Sequence, residues 1–312
     1  MTKHALFCSF ALAASLTTVL AAPAPTKSSA KPAAVAVDKA VSLELFTQPA
    51  DQTAKTLALK GADARVQLLA TARHASGAES DFTGKVTYSI KPLKVVDVDK
   101  TGYLVPLGDG TATITAKSAE GLTATATVSV ENFKDTPQIN FPNQIVPLFT
   151  KAGCNGGGCH GKSGGQNGFR LSLLGFEPTE DFEYLVKEAR GRRLSSAAPE
   201  SSLLLLKGAG IVPHGGGTRW EPDAFDFAMV KRWIAQGMPY GSDKDPHVTR
   251  IEVFPKERLM ERDGTQQLVV VAHYSDGTSE DVTRTTQFDS NDAEMAEVAT
   301  TGLVKTAQLT GS

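Results

Sequence analysis

The stretch Gly110-Thr-Ala-Thr-Ile-Thr-Ala-Lys-Ser-Ala-Glu-Gly-Leu-Thr-Ala-Thr-Ala-Thr-Val-Ser-Val130 reads as two strands joined by a turn. From Thr123 to Val130 every second residue is Thr or Ser, and the residues between are Ala or Val. A period of two puts the hydroxyls on one face and the apolar groups on the other, as in a half-exposed strand. Thr111 to Ala116 carries the same alternation, and Glu120-Gly121 supplies the turn. Upstream, Val66-Gln-Leu-Leu-Ala-Thr-Ala and Lys85-Val-Thr-Tyr-Ser-Ile are further β-rich runs. They are punctuated by Ser76-Gly77, Lys100-Thr-Gly102 and Gly108-Asp-Gly110. Short strands at this spacing predict an all-β sandwich over residues 41–132.

The pattern returns near the end of the sequence. Val270-Val-Ala-His-Tyr-Ser-Asp-Gly-Thr is a strand running into an Asp-Gly turn. Asp97-Val98 followed by Thr101-Gly102 is matched by Glu297-Val298 followed by Thr301-Gly302. A second β-sandwich is therefore predicted over residues 248–312. The first block continues about thirty residues past Thr101-Gly102, the second only to Ser312. The second copy is accordingly expected to be C-terminally incomplete. Gly102-Tyr-Leu-Val-Pro-Leu-Gly-Asp-Gly-Thr-Ala-Thr-Ile-Thr-Ala resembles the group 2 bacterial immunoglobulin-like domain. That resemblance implies spacer or adhesive units on an exported protein, with an extracellular ligand as a candidate partner.

Composition sets the outer limits. The chain has 312 residues, enough for two or three domains, with 41% hydrophobic and 21% charged residues. Lys and Arg total 32 against 34 Asp and Glu, so there is no basic excess of the kind a nucleic-acid partner requires. Lys3 and His4, the apolar run Ala5 to Ala14 and Val19-Leu20-Ala21 form a signal peptide over residues 1–21. Its apolar part is short for a membrane span, and no other apolar run reaches that length. An Ala/Pro/Ser/Lys-rich flexible linker follows over residues 22–40. The mature protein is expected to be exported, to the periplasm or the cell surface. Cleavage removes Cys8 and leaves two of the three cysteines.

Between the β blocks, over residues 141–242, the pattern turns helical. Asn143 to Thr150 forms a short helix leading to Cys154, and Pro178-Thr-Glu-Asp181 opens another with acids in its first turn. Ser201 to Lys207 is a third, and Pro222-Asp223 opens a last one. In that last helix Phe225, Met229, Val230, Trp233 and Ile234 fall at helical spacing, and Gly237 is its C-cap. The whole is thus a multidomain chain, all-β plus all-α: a small helical domain between two sandwiches.

Both remaining cysteines lie in Cys154-Asn-Gly-Gly-Gly-Cys159-His160-Gly161. Haem c attachment uses Cys-x-x-Cys-His, in which two thiols add to the haem vinyls and the adjacent imidazole takes the iron. Here the spacer is four residues, and three consecutive glycines let the longer loop bulge. A Cys154–Cys159 disulfide and a zinc site of Cys154, Cys159, His160 and His214 are the competing readings. Gly156-x-x-x-x-Gly161-Lys162-Ser163 also satisfies the P-loop pattern, but a helix precedes it and none follows, so it is set aside.

Gln144-Ile-Val-Pro-Leu-Phe-Thr-Lys-Ala-Gly-Cys154 and Gly168-Phe-Arg-Leu-Ser-Leu173 resemble the cytochrome c-like domain of large exported planctomycete proteins. Pro199-Glu-Ser-Ser-Leu-Leu and Lys231-Arg-Trp-Ile-Ala-Gln-Gly237 resemble that family's later signatures. The resemblance implies haem c held by Cys154 and Cys159, His160 as proximal iron ligand, and electron transfer with a redox partner protein rather than enzymatic turnover. It leaves two candidates for the distal ligand. His214, in Val212-Pro-His-Gly-Gly-Gly217, occupies the segment where small cytochromes c carry their distal Met. Met238 is of the right type but falls after the last helix. An open position is the third option. Arg170, Arg192, Arg193 and Arg219 could pair with haem propionates, with surface solvation the default for each, while His74, His247 and His273 are taken as solvated. The alternative function is a haem-free cell-surface adhesion or scaffold protein with a Cys154–Cys159 disulfide.

Overall fold

Alternation along β9 (Gly110–Ser118) and β10 (Thr123–Glu131) translates directly into burial. Ala112, Ile114 and Ala116 point inward from β9 while Thr111 and Thr113 stay exposed, and Val128 and Val130 point inward from β10. The computed structural model describes residues 38–46, 56–161 and 163–308. The expected signal peptide, the part of the expected linker before residue 38 and Cys8 lie outside the described residues.

In the first repeat β9 and β10 pair antiparallel inside the four-stranded sheet β2-β10-β9-β6, with β2 Thr56–Lys60 and β6 Val86–Lys91 at its edges. β2, which the sequence reading passed over, joins β10 in parallel register, Thr56 opposite Thr127. Two smaller antiparallel sheets complete the layer. One is β1-β4-β5 (Ala40–Phe46, Leu69–His74, Glu79–Asp81). The other is β3-β8-β7 (Val66–Gln67, Tyr103–Pro106, Val96–Val98). Leu57, Leu68, Leu104, Ile114 and Val128 meet in the core between them.

The second repeat reproduces the smaller sheets. The sheet β11-β13-β14 (Val248–Phe254, Val269–Tyr274, Ser279–Asp281) mirrors β1-β4-β5. The sheet β12-β16-β15 (Thr265–Gln267, Leu303–Thr306, Ala296–Val298) mirrors β3-β8-β7. Among the described residues nothing corresponds to the four-stranded sheet, and residues 286–291, which stand 200 positions on from β6, form no strand.

The two repeats grip each other through equivalent residues standing 200 positions apart. Gln67 N donates to Asp281 Oδ2 at 2.8 Å, and Gln267 N donates to Asp81 Oδ2 at 2.7 Å. Each aspartate also accepts from the threonine two residues on, Thr83 N or Thr283 N. Leu69, Val269 and Val271 bury an apolar seam beside this exchange. Arg284 breaks the symmetry by donating to Gln67 Oε1 and Thr101 Oγ1.

Between the repeats the chain is helical but finely broken. A π turn over Phe141–Ile145 runs into α1 (Val146–Lys151); then come α2 (Pro178–Phe182), α3 (Leu203–Gly208) and α4 (Phe225–Ala235). α2 continues only as a π turn to Lys187, and α4 starts at Phe225 rather than at Pro222-Asp223. Gly237 does close α4, with φ +83° and its N–H on Ile234 O. Phe141, Phe149, Leu185, Leu205 and Trp233 form the core of this region. Arg232 pairs with Asp63 of the first repeat, and Lys151 Nζ donates to Arg284 O of the second. Everything described belongs to one compact unit. Among the described residues no helix is long and apolar enough to cross a membrane.

Candidate functional site

The end of α1 delivers Cys154 into a loop that curls back on itself. Gly153 takes φ +71°, and Cys154 N then donates to Phe149 O at 2.8 Å. Cys159 N bonds Gly156 O at 2.9 Å, and His160 N returns to Cys154 O at 2.9 Å. Asn155 sits inside this curl, 1% exposed, with its Nδ2 on Thr150 Oγ1. The steric demand for glycine differs from the sequence expectation. Gly157 and Gly158 have open space or ordinary contact where a Cβ would go, whereas a Cβ on Gly161 would run into the Asn155 carbonyl. The tight crossing is at Gly161, not in the middle of the glycine run.

His160 and His214 come together although 54 residues separate them in sequence. Their rings lie 6.5 Å apart between centroids and within 5° of parallel. His160 Nδ1 lies 2.9 Å from Phe169 O, and His214 Nδ1 lies 2.9 Å from Gly217 O. A carbonyl only accepts, so Nδ1 is the donor in each ring and Nε2 is left for another partner. Fixing the tautomer by a backbone carbonyl is how ligating histidines are oriented. Imidazole–metal bonds run about 2 Å, which puts two imidazoles sharing one ion end-on at about 6 Å between centroids. The observed centroid separation is close to that length. Burial lowers the His160 pKa, which keeps its ring neutral at pH 7.

Both histidines line a cavity of about 480 Å³ with Cys154 and Cys159 on its wall. Phe149, Phe169, Leu171, Leu203, Leu204 and Trp220 supply its apolar surface. Arg192, Arg193, Lys207 and Arg219 also line it, and no Asp or Glu does. Trp220 is 3% exposed and its indole Nε1 has no protein partner. An apolar slot with a cationic border and two free imidazole nitrogens suits a flat, largely apolar ligand that bears acidic groups and a metal centre.

The two cysteine sulfurs are unbonded. Burial pushes the Cys154 thiol up to about 11, so it stays protonated at neutral pH. Among the described residues no three His, Cys, Asp or Glu side chains are placed to hold one ion, so the four-ligand zinc arrangement is not formed.

Met238 stands elsewhere. It follows Gly237 in the left-handed region (φ +59°), its N–H on Trp233 O, and packs against the helical core without lining the cavity. Arg193, expected to be solvated, is buried. It donates to the carbonyls of Tyr184, Glu188 and Gly168 and lies over the Phe169 ring at 4.7 Å. Arg219 reaches Ala152 O at 3.2 Å and stands 3.9 Å from Cys159 Sγ. Arg170 packs over Tyr184 outside this cavity. Asp181 at the start of α2 is buried and accepts from both N and Oγ of Ser172, so it anchors the loop after His160 besides facing the helix start.

The sequence reading missed Trp220 and Asn155 as parts of the site. A Trp beside an Arg, just ahead of the last helix, was the available signal for the first; nothing in the sequence marks the second.

No family model matches the sequence, and no curated protein matches it. Among solved structures, domains 1–6 of the surface layer protein SbsC align with 88% of this chain and 26% of theirs, at 12% identity and a TM-score of 0.24. The chain thus spans about a quarter of that neighbour's length. A likeness at that score carries no argument about fold or function.

Proposed function

We propose that the helical region is a cytochrome c-like domain carrying one covalent haem c, and that the chain is an exported electron-transfer protein whose two β repeats are immunoglobulin-like units that position it. Cys154 and Cys159 would hold the haem as thioethers, and His160 and His214 would ligate its iron through Nε2. The observation that carries this reading is the pair of parallel imidazoles, each with Nδ1 tied to a carbonyl, in a cavity that both cysteines line. When bound, the haem supplies one-electron transfer.

The residues of the chain have separate tasks. Phe169 O orients His160, and Arg193 clamps the Phe169 segment from behind. Phe149, Leu204 and Trp220 keep water from the faces of the ligand. Arg192, Lys207 and Arg219 offer cationic partners for its carboxylates. Two imidazoles without a Met imply a potential below that of a His/Met site, since Met raises it.

The test is expression of the whole chain in cells able to mature c-type cytochromes. The expected product is coloured, gains the mass of one haem, keeps it through acid–acetone extraction and shows a low-spin spectrum. His214→Ala converts the iron to high spin, and Met238→Ala leaves the spectrum unchanged. A colourless protein with a Cys154–Cys159 disulfide overturns the reading in favour of a haem-free scaffold. High spin from Met238→Ala alone overturns the assignment of His214.

A further inference from the structure

The two imidazoles that line the cavity are anchored very differently. His160 is tied into the body of the domain on every side. Its N–H bonds Cys154 O, its carbonyl accepts from Leu171 N at 2.8 Å, and its ring packs on Phe169 at 4.6 Å between centroids. The carbonyl that orients it belongs to Phe169, which is paired both ways with Gln166 and covered by the buried Arg193.

His214 is held mainly by its own turn. Its Nδ1 partner is Gly217 O, and Gly217 N returns to His214 O at 3.0 Å, so ring and anchor move as one unit. Gly215 and Gly217 have open space around them. The backbone is pinned on either side, by Val212 N on Leu206 O at 3.2 Å and by Arg219 N on Gly208 O at 2.7 Å. Between those pins one exposed hydrogen bond, Lys207 Nζ to Pro213 O at 3.0 Å, ties the turn to α3.

We propose that His214 is a releasable ligand and His160 a fixed one, so that a small neutral two-atom molecule can take the place of His214; this rests on the haem reading above. The exchange breaks one bond, to His214 Nε2, and forms one, to the incoming molecule. No electron or proton is transferred, and the freed nitrogen turns to water. Phe149, Leu203 and Leu204 give the cavity apolar wall against which an uncharged occupant can pack. Arg219 borders the same space: a Cβ on Gly216 would stand 3.0 Å from His214 Cε1 and 3.5 Å from Arg219 Nη2.

The probe is carbon monoxide, mixed with the reduced, haem-loaded full chain while the Soret band is followed. A carbon monoxide complex is expected to form at a rate that levels off with rising concentration, because release of His214 becomes limiting. Lys207→Met removes the tether and should raise the plateau about fivefold, the effect of one hydrogen bond of about 1 kcal/mol. In His214→Ala the rate should rise linearly without a plateau. Covalent haem with a low-spin spectrum but no carbon monoxide complex overturns the inference, as does a plateau that Lys207→Met leaves unmoved. Failure to attach haem at all overturns the underlying function instead.

Discussion

At the residue scale the loop from Cys154 to Gly161 is governed by one crossing. Asn155 lies under the chain with its carbonyl against Gly161 and its amide on Thr150, so backbone passes backbone with no room for a side chain. Gly157 and Gly158 sit on the open part of the curl, and neither has φ in the left-handed region. Gly161→Ala is therefore expected to displace His160 and to destabilise the domain by about 1–3 kcal/mol, the range for overpacking. Gly157→Ala and Gly158→Ala should change stability by less than about 0.5 kcal/mol. Thermal melts of the three variants check this. Equal losses in all three would mean that the glycines act as a flexible set rather than through one contact.

At the scale of elements, none of the helices around the cavity could stand alone. The longest, α4, has eleven residues, and isolated helices shorter than about 12–15 residues are marginal in water. Their stability comes from the shared core, in which Trp233 is the largest fully buried side chain. Its ring lies 5.3 Å from that of Phe141, and its Nε1 donates to Pro239 O at 2.8 Å. Trp233→Ala should cost about 3–5 kcal/mol and lower the melting temperature of the helical region. Trp233→Phe should recover part of that loss, because it refills volume but not the hydrogen bond. A melting temperature unchanged in Trp233→Ala would contradict the assignment of the core.

For the whole molecule, the reciprocal exchange between the repeats is one of the contacts that draw the two ends of the described chain together. The Asp281 carboxylate is enclosed by Gln67 N, Thr283 N and the Arg284 side chain. Burial raises its pKa to about 6, and the surrounding donors and Arg284 only partly oppose this. A carboxyl whose folded pKa lies above its unfolded value binds its proton more tightly when folded. Its contribution to stability is therefore full below about pH 4 and is lost as pH rises through about 6. Asp281→Asn cannot titrate. The stability of the wild type relative to this variant should fall as pH rises from 4 to 7, as read from denaturant midpoints at fixed ionic strength. A difference independent of pH would show that Asp281 does not titrate in this range.

Much of the fold was legible because it is local. The Thr/Val alternation from Thr111 to Val130, the Thr-Gly turns at residues 102 and 302, and the apolar spacing of α4 each depend on residues within one element. The Cys154-to-His160 run was visible for the same reason. What lies between elements was not. That β2 enters the sheet parallel to β10, that Gln67 and Asp281 find each other, and that Arg193 is buried rather than solvated all depend on partners far away in sequence. The site divides along the same line. The identity and order of Cys154, Cys159 and His160 belong to the sequence. The meeting of His214 with His160, and the exclusion of Met238 from the cavity, were decided by how α3, α4 and the loop after His160 pack. A one-dimensional pattern records which face a residue turns inward; only the closed core determines what it meets there.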